Sequence, residues 1–318
     1  MIKGSLPPDF LIRLKDIAPQ AQEFGFGQRA WMSFRINTLK VGIDEAYGKL
    51  KEHGVDFKSV GFCPYAILVN KETGQRLLES KLVQTGLLYA QGLESLLPVL
   101  ILDPKPHERV LDLCAAPGSK TSQIAMHMHN QGTLKANEPV RDRLYRLKAV
   151  LELTGTKAVI SSVDGRRLQD RDGAFDRILV DAPCSSEGRF RIEEPKSFAY
   201  WSVRKIKEMS HKQKGLLQNA GRLLKPGGVL VYSTCTFAPE ENEEVVDWFL
   251  RKNEKDFKLA AAGMEGIETY PCLSQWQKRT YAHSLKDALR VLPDEYREGF
   301  FIAKFVKSYN MNPVRPLF

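Results

Sequence analysis

The sequence predicts an α/β protein whose larger part is a doubly wound, mostly parallel sheet with an antiparallel last strand. Strand-like and helix-like segments alternate from residue 108 onward, and this alternation is typical of parallel strands joined by crossover helices. Acidic residues follow several strand-like segments, and a tight turn of small residues follows the first. Such a turn at a strand end is the usual prelude to a nucleotide-like ligand.

Residues 1–83 predict a smaller amino-terminal α/β domain. Its pattern contains a helical start, a strand at 33–39, an amphipathic helix at 43–53 and a short strand at 66–69. A helix at 84–100 then opens the predicted catalytic domain, which takes in residues 84–318.

The catalytic domain supplies the alternating elements. Predicted strands lie at 109–113, 133–137, 158–161, 177–181, 229–232 and 299–305, and predicted helices lie at 119–129, 140–153 and 203–224. A further helix is predicted from Pro239, because proline suits the first helical position and the acidic residues after it suit the positive helix end.

Length and charge indicate the class of protein. A chain of 318 residues suits a catalytic domain with a smaller companion. The net charge of +9 predicts an acidic partner, with nucleic acid first and an anionic membrane surface as the alternative. The apolar stretch 87–102 is interrupted by Gln91, Glu94 and Pro98, and no signal-peptide block is present. We therefore expect a cytoplasmic protein.

The cysteines favour covalent chemistry over structural roles. They are five, an odd number without a C-x-x-C pair, which argues against a disulfide framework and a structural zinc site. His127 and His129, two positions apart on a helix, point to different faces, so no metal site is expected. Cys184 and Cys235 each follow an apolar strand-like run, and thiols placed there are candidate nucleophiles.

The strand ends also predict an adenosine-containing cofactor. Asp112, Glu138, Asp164 and Asp181 follow successive strands, whose ends converge on one crevice in a doubly wound sheet. A carboxylate after the second strand can accept the ribose hydroxyls, and one after the third can accept an adenine amino proton. The turn has neither G-x-G-x-x-G nor P-loop glycine spacing, since Leu113 occupies the position of the first P-loop glycine. S-adenosylmethionine, which has no phosphate, is therefore favoured.

Five motifs in this order resemble one family. They are CAAPGSKT at 114–121, DAPCS at 181–185, KPGG at 225–228, STC at 233–235 and PEENE at 239–243. The chain resembles RNA cytosine-5 methyltransferases of the nucleolar-protein/Sun family, and RINTL at 35–39 and GFFIA at 299–303 extend the resemblance to about residues 30–307. Two positions depart from the family pattern. Ser186 replaces a glycine that often follows the first cysteine motif, and Glu298 stands where aspartate is frequent.

The resemblance implies a class I S-adenosylmethionine-dependent methyltransferase fold, Rossmann-like, with an amino-terminal RNA-recognition-like domain. It also implies a set of cofactor contacts. These are Cys114, Ala115, Ala116, Pro117, Gly118, Ser119, Lys120, Glu138, Arg143, Asp164 and Asp181.

The implied reaction forms 5-methylcytidine in tRNA or rRNA. Carbon 5 of cytosine is a poor nucleophile until a thiolate adds to carbon 6. By resemblance Cys235 makes that attack, Cys184 helps to release the product, Asp181 holds the base, and Lys120 is the cation that favours the thiolate. The target base must leave its stack, which is easiest in loops of structured RNA. No membrane contact or obligate protein partner is expected, and the protein is predicted to be a monomer.

The roles of four polar residues, and three competing functions, remain open from the sequence. Arg35 and Asn37 suit either a domain junction or RNA contact, and Arg189 and Arg191 are candidates for phosphate contact. A DNA cytosine-5 methyltransferase would use Cys184 as the nucleophile and need a target-recognition domain, for which no segment is evident. A small-molecule methyltransferase needs no thiol and no basic surface, and a catalytically silent RNA-binding factor would bind with steep salt dependence.

Overall fold

The amino-terminal part of the chain folds into an antiparallel sheet with short helices. The computed structural model of the protein describes residues 5–21, 26–27 and 29–309. In chain order the first elements are α1 (Pro8–Ile17), β1 (Trp31–Ile36), α2 (Ile43–Glu52), β2 (Lys58–Val60), β3 (Cys63–Asn70), α3 (Lys71–Leu78), α4 (Lys81–Gln84), β4 (Leu88–Ala90) and α5 (Leu93–Leu102). The strand order is β2-β3-β1-β4. Residues 1–4, 22–25 and 28 of the predicted first domain, and 310–318 of the second, lie outside the described residues.

The helix predicted at 84–100 is wrong over its first half. Gly86 has a left-handed φ of 70°, and a Cβ there would lie 2.1 Å from the carbonyl oxygen of Leu153. The chain therefore turns at Gly86 and forms β4, which pairs with β1, and the helix α5 begins only at Leu93. The first sheet thus extends beyond residue 83, and the division of the chain between residues 83 and 84 stays a prediction.

The catalytic part contains the predicted alternation. Its elements are β5 (Arg109–Asp112), α6 (Ser119–His127), β6 (Thr133–Asn137), α7 (Arg141–Thr154), β7 (Val159–Ser161), β8 (Phe175–Asp181), α8 (Val203–Leu223), β9 (Leu224–Thr234), α9 (Glu243–Lys252), β10 (Phe257–Ala260), β11 (Gln275–Trp276), β12 (Arg279–Thr280), β13 (Leu289–Val291) and β14 (Phe300–Lys307). The main sheet has the order β10-β14-β9-β8-β5-β6-β7, with β13 on β14.

The pairing within this sheet confirms the predicted fold class. Strands β5 to β9 pair in parallel, and β14 runs antiparallel to β9. One correction concerns the helix expected from Pro239, since α9 begins at Glu243. Residues 239–242 form a turn in which the backbone N–H groups of Glu241 and Asn242 both donate to Ala238 O.

The central strands are buried on both faces. Consecutive residues along β5, β8 and β9 enter two separate apolar clusters, as parallel strands covered by helices on both sides should. Leu111, Ile178 and Leu230 belong to one cluster, and Val110, Leu179 and Val231 belong to the other. The apolar side chains of these strands thus form the core, and the polar side chains at the strand ends lie outside it, where they can form a site. Within the described residues, no helix is long and apolar enough to cross a membrane.

Arg35 joins the two sheets as a buried structural residue. Its side chain is fully buried, Nε donates to Gln91 Oε1 at 2.8 Å, and Nη2 donates to Ser122 Oγ on α6 at 2.6 Å. Burial lowers the pKa of Arg35 to about 10. Since no part of it faces solvent, Arg35 has a structural role and does not contact RNA in this conformation.

Asn37→Ala is expected to destabilise the protein because Asn37 Nδ2 donates to two buried carbonyls, Gly86 O and Thr154 O, each at 2.9 Å. Leaving both unpaired should lower the free energy of unfolding by about 2–3 kcal/mol, measured by urea denaturation. The matched control is Lys40→Ala, which removes two hydrogen bonds to backbone carbonyls from an exposed position and should cost less than about 1 kcal/mol. Equal losses in the two variants would contradict this assignment.

Candidate active site

The carboxyl ends of the parallel strands open into one cavity of about 510 Å³. Asp181, Cys184 and Cys235 lie on its wall. Most of the predicted cofactor loop is also on the wall, namely Cys114, Ala115, Ala116, Pro117, Ser119 and Lys120. The structure therefore brings the loop and the two thiols into one site.

The cofactor loop turns at Gly118, where only glycine fits. Its φ is 116°, and a Cβ would lie 3.0 Å from Val150 Cγ1. Helix α6 begins at the next residue, so the first backbone N–H groups of that helix, which have no partner within it, belong to residues on the cavity wall. A helix amino terminus in this position suits a carboxylate, such as the amino-acid end of the predicted cofactor.

Asp112 supplies a buried acceptor at the same place. Its Oδ2 accepts from Thr121 Oγ1 at 2.7 Å, whereas Oδ1 is buried and has no hydrogen-bond partner in the described part of the chain. Burial raises the pKa of Asp112 to about 7. An ammonium group would pair with that oxygen and keep the carboxylate charged. Asp112 Oδ1 can accept from the ammonium group of S-adenosylmethionine, and the N–H groups at the start of α6 can donate to its carboxylate.

Glu138 is connected to the cofactor loop through Arg143. The Glu138 side chain is almost fully buried, and its Oε1 accepts from Val140 N at 2.9 Å. Arg143 Nη1 lies 3.4 Å from Glu138 Oε2, and Arg143 Nη2 donates to Ala116 O at 2.7 Å. Arg143 thus holds the strand-end carboxylate and the loop in one arrangement.

Of the four predicted strand-end acids, Asp112 and Asp181 line the cavity, whereas Glu138 and Asp164 do not. The carboxylate of Asp164 accepts from Arg166 Nε at 3.0 Å and Nη2 at 2.5 Å, and these hydrogen bonds hold the pKa of Asp164 at about 2. The side chain of Arg166 is itself exposed. A contact from Asp164 to the adenine amino group stays a prediction that requires Arg166 to share this carboxylate.

Asp181 is paired with Lys120 beside the thiols. Lys120 Nζ lies 2.8 Å from Asp181 Oδ2, and it also donates to Ser95 Oγ at 2.9 Å. Ser233 Oγ donates to the other carboxylate oxygen of Asp181 at 2.8 Å. Lys120 is 5.4 Å from the centre of the Phe300 ring. Asp181 is therefore held at both oxygens in a site that is partly open.

The two candidate thiols are in contact. Cys184 Sγ lies 3.3 Å from Cys235 Sγ, and both side chains are half-buried. The hydrogen bond from Cys184 lowers the pKa of Cys235, and the same bond raises the pKa of Cys184 well above its ordinary value. Of the two thiols, Cys235 is therefore the easier to ionise.

Arg189 is the cation that acts on Cys235, in the place where Lys120 was expected. Its charge contributes to lowering the pKa of Cys235, although the side chain is 65% exposed. Arg189 Nε lies 3.5 Å from Glu298 Oε2, and Arg191 pairs with the same carboxylate. Glu298 thus holds both arginines of the loop that follows Cys184. The position of Arg189, five residues after Cys184, was the signal available in the sequence.

Two buried glutamates clamp the cysteine loops to each other, and sequence analysis assigned neither of them a role in the site. Glu187, on the Cys184 side, accepts at Oε2 from Thr236 Oγ1 at 2.9 Å and from Phe237 N at 3.1 Å. Glu241, on the Cys235 side, accepts at Oε2 from Ser185 N at 3.0 Å. Desolvation raises the pKa of Glu187, and it raises the pKa of Glu241 to about 8.

The remaining cysteines lack the features of a nucleophile. Burial raises the pKa of Cys63 to about 11, and it also raises the pKa values of Cys114 and Cys272. His127 Nε2 is 2.7 Å from Tyr65 OH, where the histidine packs at the domain junction. Within the described residues, no cluster of His, Cys, Asp or Glu is arranged to hold a metal ion.

Similarity to known proteins agrees with this site. A model of the family described as 16S rRNA methyltransferase RsmB/F matches residues 99–306. The tRNA (cytosine(49)-C(5))-methyltransferase of Pyrococcus abyssi is 41% identical over 285 residues, which are 86% of this chain and 88% of that protein. Ribosomal RNA small subunit methyltransferase F of Vibrio vulnificus is 36% identical over 318 residues, which are 96% of this chain and 65% of that protein.

The fold is also found in a solved structure of a methyltransferase homologue from Pyrococcus horikoshii. It is 30% identical, has a TM-score of 0.77, and the match covers 95% of this chain and all of that one. The motif resemblance and the S-adenosylmethionine-dependent methyltransferase fold are thereby confirmed. The chain belongs to the 16S rRNA methyltransferase RsmB/F family.

Proposed function

We propose that this protein transfers a methyl group from S-adenosylmethionine to carbon 5 of a cytidine in tRNA or rRNA. The observation that carries the proposal is the contact between Cys184 and Cys235 at 3.3 Å, beside Asp181 and the cofactor loop. Small-molecule methyl transfer has no need of two thiols. The net charge of +9 supports an RNA substrate.

tRNA is the first substrate class to test. The tRNA methyltransferase of Pyrococcus abyssi matches this chain over 88% of its own length, whereas the Vibrio vulnificus rRNA enzyme is matched over 65%. The test is to map 5-methylcytidine in tRNA and rRNA after incubation of each with the purified protein. The cytoplasmic location, the monomeric state and the RNA-recognition-like role of the first domain stay predictions.

The nucleophile is Cys235. Its thiolate adds to carbon 6 of cytosine, and the electron pair of the 5,6 double bond moves toward carbon 5, which can then accept a methyl group. The lowered pKa of Cys235 and the raised pKa of Cys184 support this order of roles. They disfavour the DNA-type alternative, in which Cys184 would attack.

Asp181 and Lys120 orient the base next to this thiolate. A carboxylate that accepts from the amino edge and from a protonated ring nitrogen makes carbon 6 more electrophilic, and Asp181 is placed for that role. Lys120, 2.8 Å from Asp181, fixes the position of the carboxylate.

The cofactor supplies an electrophilic methyl group. Asp112 Oδ1 and the amino terminus of α6 would hold its amino-acid end, and Glu138, positioned by Arg143, would hold its ribose. The cavity of about 510 Å³ leaves a common volume for these groups and the thiols. Cys184 then assists release after the proton on carbon 5 is removed.

Cysteine variants test the assignment of the nucleophile. With labelled methyl donor and cellular RNA, Cys235→Ala is expected to lose methylation by at least about a thousandfold, the scale seen when a covalent nucleophile is removed. Cys184→Ala is expected to accumulate an RNA adduct that survives a denaturing gel. Methylation that persists without either thiol would contradict the proposal, and binding without any methyl transfer by the unmodified protein would favour a silent RNA-binding factor.

Arg143→Ala is expected to weaken S-adenosylmethionine binding about tenfold, because it removes both the ion pair with Glu138 and the hydrogen bond to Ala116 O. Isothermal titration calorimetry without RNA measures this Kd. Arg146→Ala is the matched control on an exposed position of the same helix, and its Kd should stay unchanged. An equal loss in both variants would show that α7 contributes only general positive charge.

Arg189→Gln is expected to shift the acidic limb of the pH–rate profile to higher pH. The thiolate reacts, so the single-turnover rate rises as pH passes the pKa of Cys235, and removing the guanidinium raises that pKa. Because Arg189 is exposed and screened by water, we expect a rate about threefold lower at pH 7 and an equal rate above the shifted pKa. Arg191→Gln should keep the limb in place, and the same shift in both variants would contradict a specific role for Arg189.

A further inference from the structure

Ser186 has a backbone conformation that serine rarely adopts. Its φ of 59° and ψ of 28° lie in the left-handed region, where glycine is unrestricted and other side chains are strained. Such strain persists only where the surrounding structure imposes it, and it is concentrated at functional sites.

The surroundings of Ser186 impose this conformation from both sides. On one side, Ser185 N is held by the buried carboxylate of Glu241 at 3.0 Å. On the other side, Gly188 N donates to Cys235 O at 2.9 Å, and Arg189 N donates to Ser186 O at 3.0 Å. The left-handed residue therefore lies in a loop segment that is tied to the other cysteine loop.

The strained backbone places the Ser186 hydroxyl beside both sulfur atoms. Its Oγ accepts from Cys235 Sγ at 3.7 Å, lies 3.9 Å from Cys184 Sγ, and donates to Cys184 O at 3.5 Å. The residue also lines the cavity. A thiolate has no proton to donate, so when Cys235 ionises the hydroxyl can rotate its own proton from Cys184 O to that sulfur.

We propose that Ser186 is a further catalytic residue, whose hydroxyl donates a hydrogen bond to the Cys235 thiolate before attack and again when that sulfur leaves the methylated base. This inference rests on the proposed role of Cys235. In the attack, the sulfur electron pair forms the bond to carbon 6 and the 5,6 electron pair moves to carbon 5. In release, a general base takes the proton from carbon 5, the electron pair of that carbon–hydrogen bond restores the double bond, and the carbon 6–sulfur bond breaks with its electron pair returning to sulfur as the thiolate. The sulfur is anionic at both ends of this sequence, where the hydroxyl stabilises it.

The test compares Ser186→Ala with Ser186→Gly. Alanine removes the hydroxyl and keeps a side chain on the left-handed backbone, whereas glycine removes the hydroxyl and the strain. We expect both variants to lower the single-turnover methylation rate at pH 7 about threefold to tenfold, the effect of one long hydrogen bond of ordinary strength. We expect the deficit to disappear at alkaline pH, where the thiolate forms without help. Only Ser186→Gly should raise Tm.

Each other outcome overturns the inference. Wild-type rates in both variants would show that the hydroxyl does nothing, and a slow Ser186→Ala with a normal Ser186→Gly would assign the effect to backbone strain. A deficit that is equal at every pH would indicate a structural role. Cys235→Ala is run in parallel: if that variant still methylates RNA, the assignment of the nucleophile fails and the inference fails with it. If Cys235→Ala is inactive and the serine variants are normal, only the inference fails.

Discussion

The parallel pairing of β8 with β9 determines where both sulfur atoms lie. Asp181 is opposite Ser233 at the last rung, and a hydrogen bond joins their side chains. The loops after β8 and β9 therefore begin at the same rung of the sheet. Cys184 follows Asp181 by three residues, and Cys235 follows Ser233 by two. Because side chains alternate along a strand, a slip of one residue would turn Asp181 to the opposite face. The core that buries both faces of these strands fixes this register, and thus fixes the site.

Two buried carboxylates, those of Glu187 and Glu241, hold the loops after β8 and β9 so that the two thiols are in contact. A buried carboxylate destabilises a protein unless hydrogen bonds satisfy it. The partners of Glu187 include residues of the Cys235 loop, and those of Glu241 include a residue of the Cys184 loop. Each acid is therefore satisfied only when both loops are in place. Separation of the loops would leave two buried acids short of donors at once, so the thiol contact is formed or lost as a unit.

The parts that sequence predicts well are those with local signals. The apolar runs at 109–113 and 177–181 are long enough to identify β5 and β8, and the order of the cysteine motifs places both thiols at adjacent strand ends. Strand β4 was missed because it has three residues and its partner β1 lies more than fifty positions earlier. The effect of Arg189 on Cys235 was missed because its closeness to Cys184 in the sequence does not show that the loop after Ser186 brings its charge to Cys235.

The opposite pKa changes of the two thiols explain why two cysteines serve where one nucleophile performs the attack. At 3.3 Å, two thiolates would repel strongly, so ionisation of Cys235 raises the pKa of Cys184 and keeps that thiol protonated. Once Cys235 is bonded to carbon 6, its sulfur is neutral and no longer raises the pKa of Cys184. In the proposed mechanism Cys184 therefore becomes easier to ionise after the attack has occurred, which is when release requires it. In this mechanism the contact between the sulfurs would therefore place the ionisation of Cys184 after the attack by Cys235.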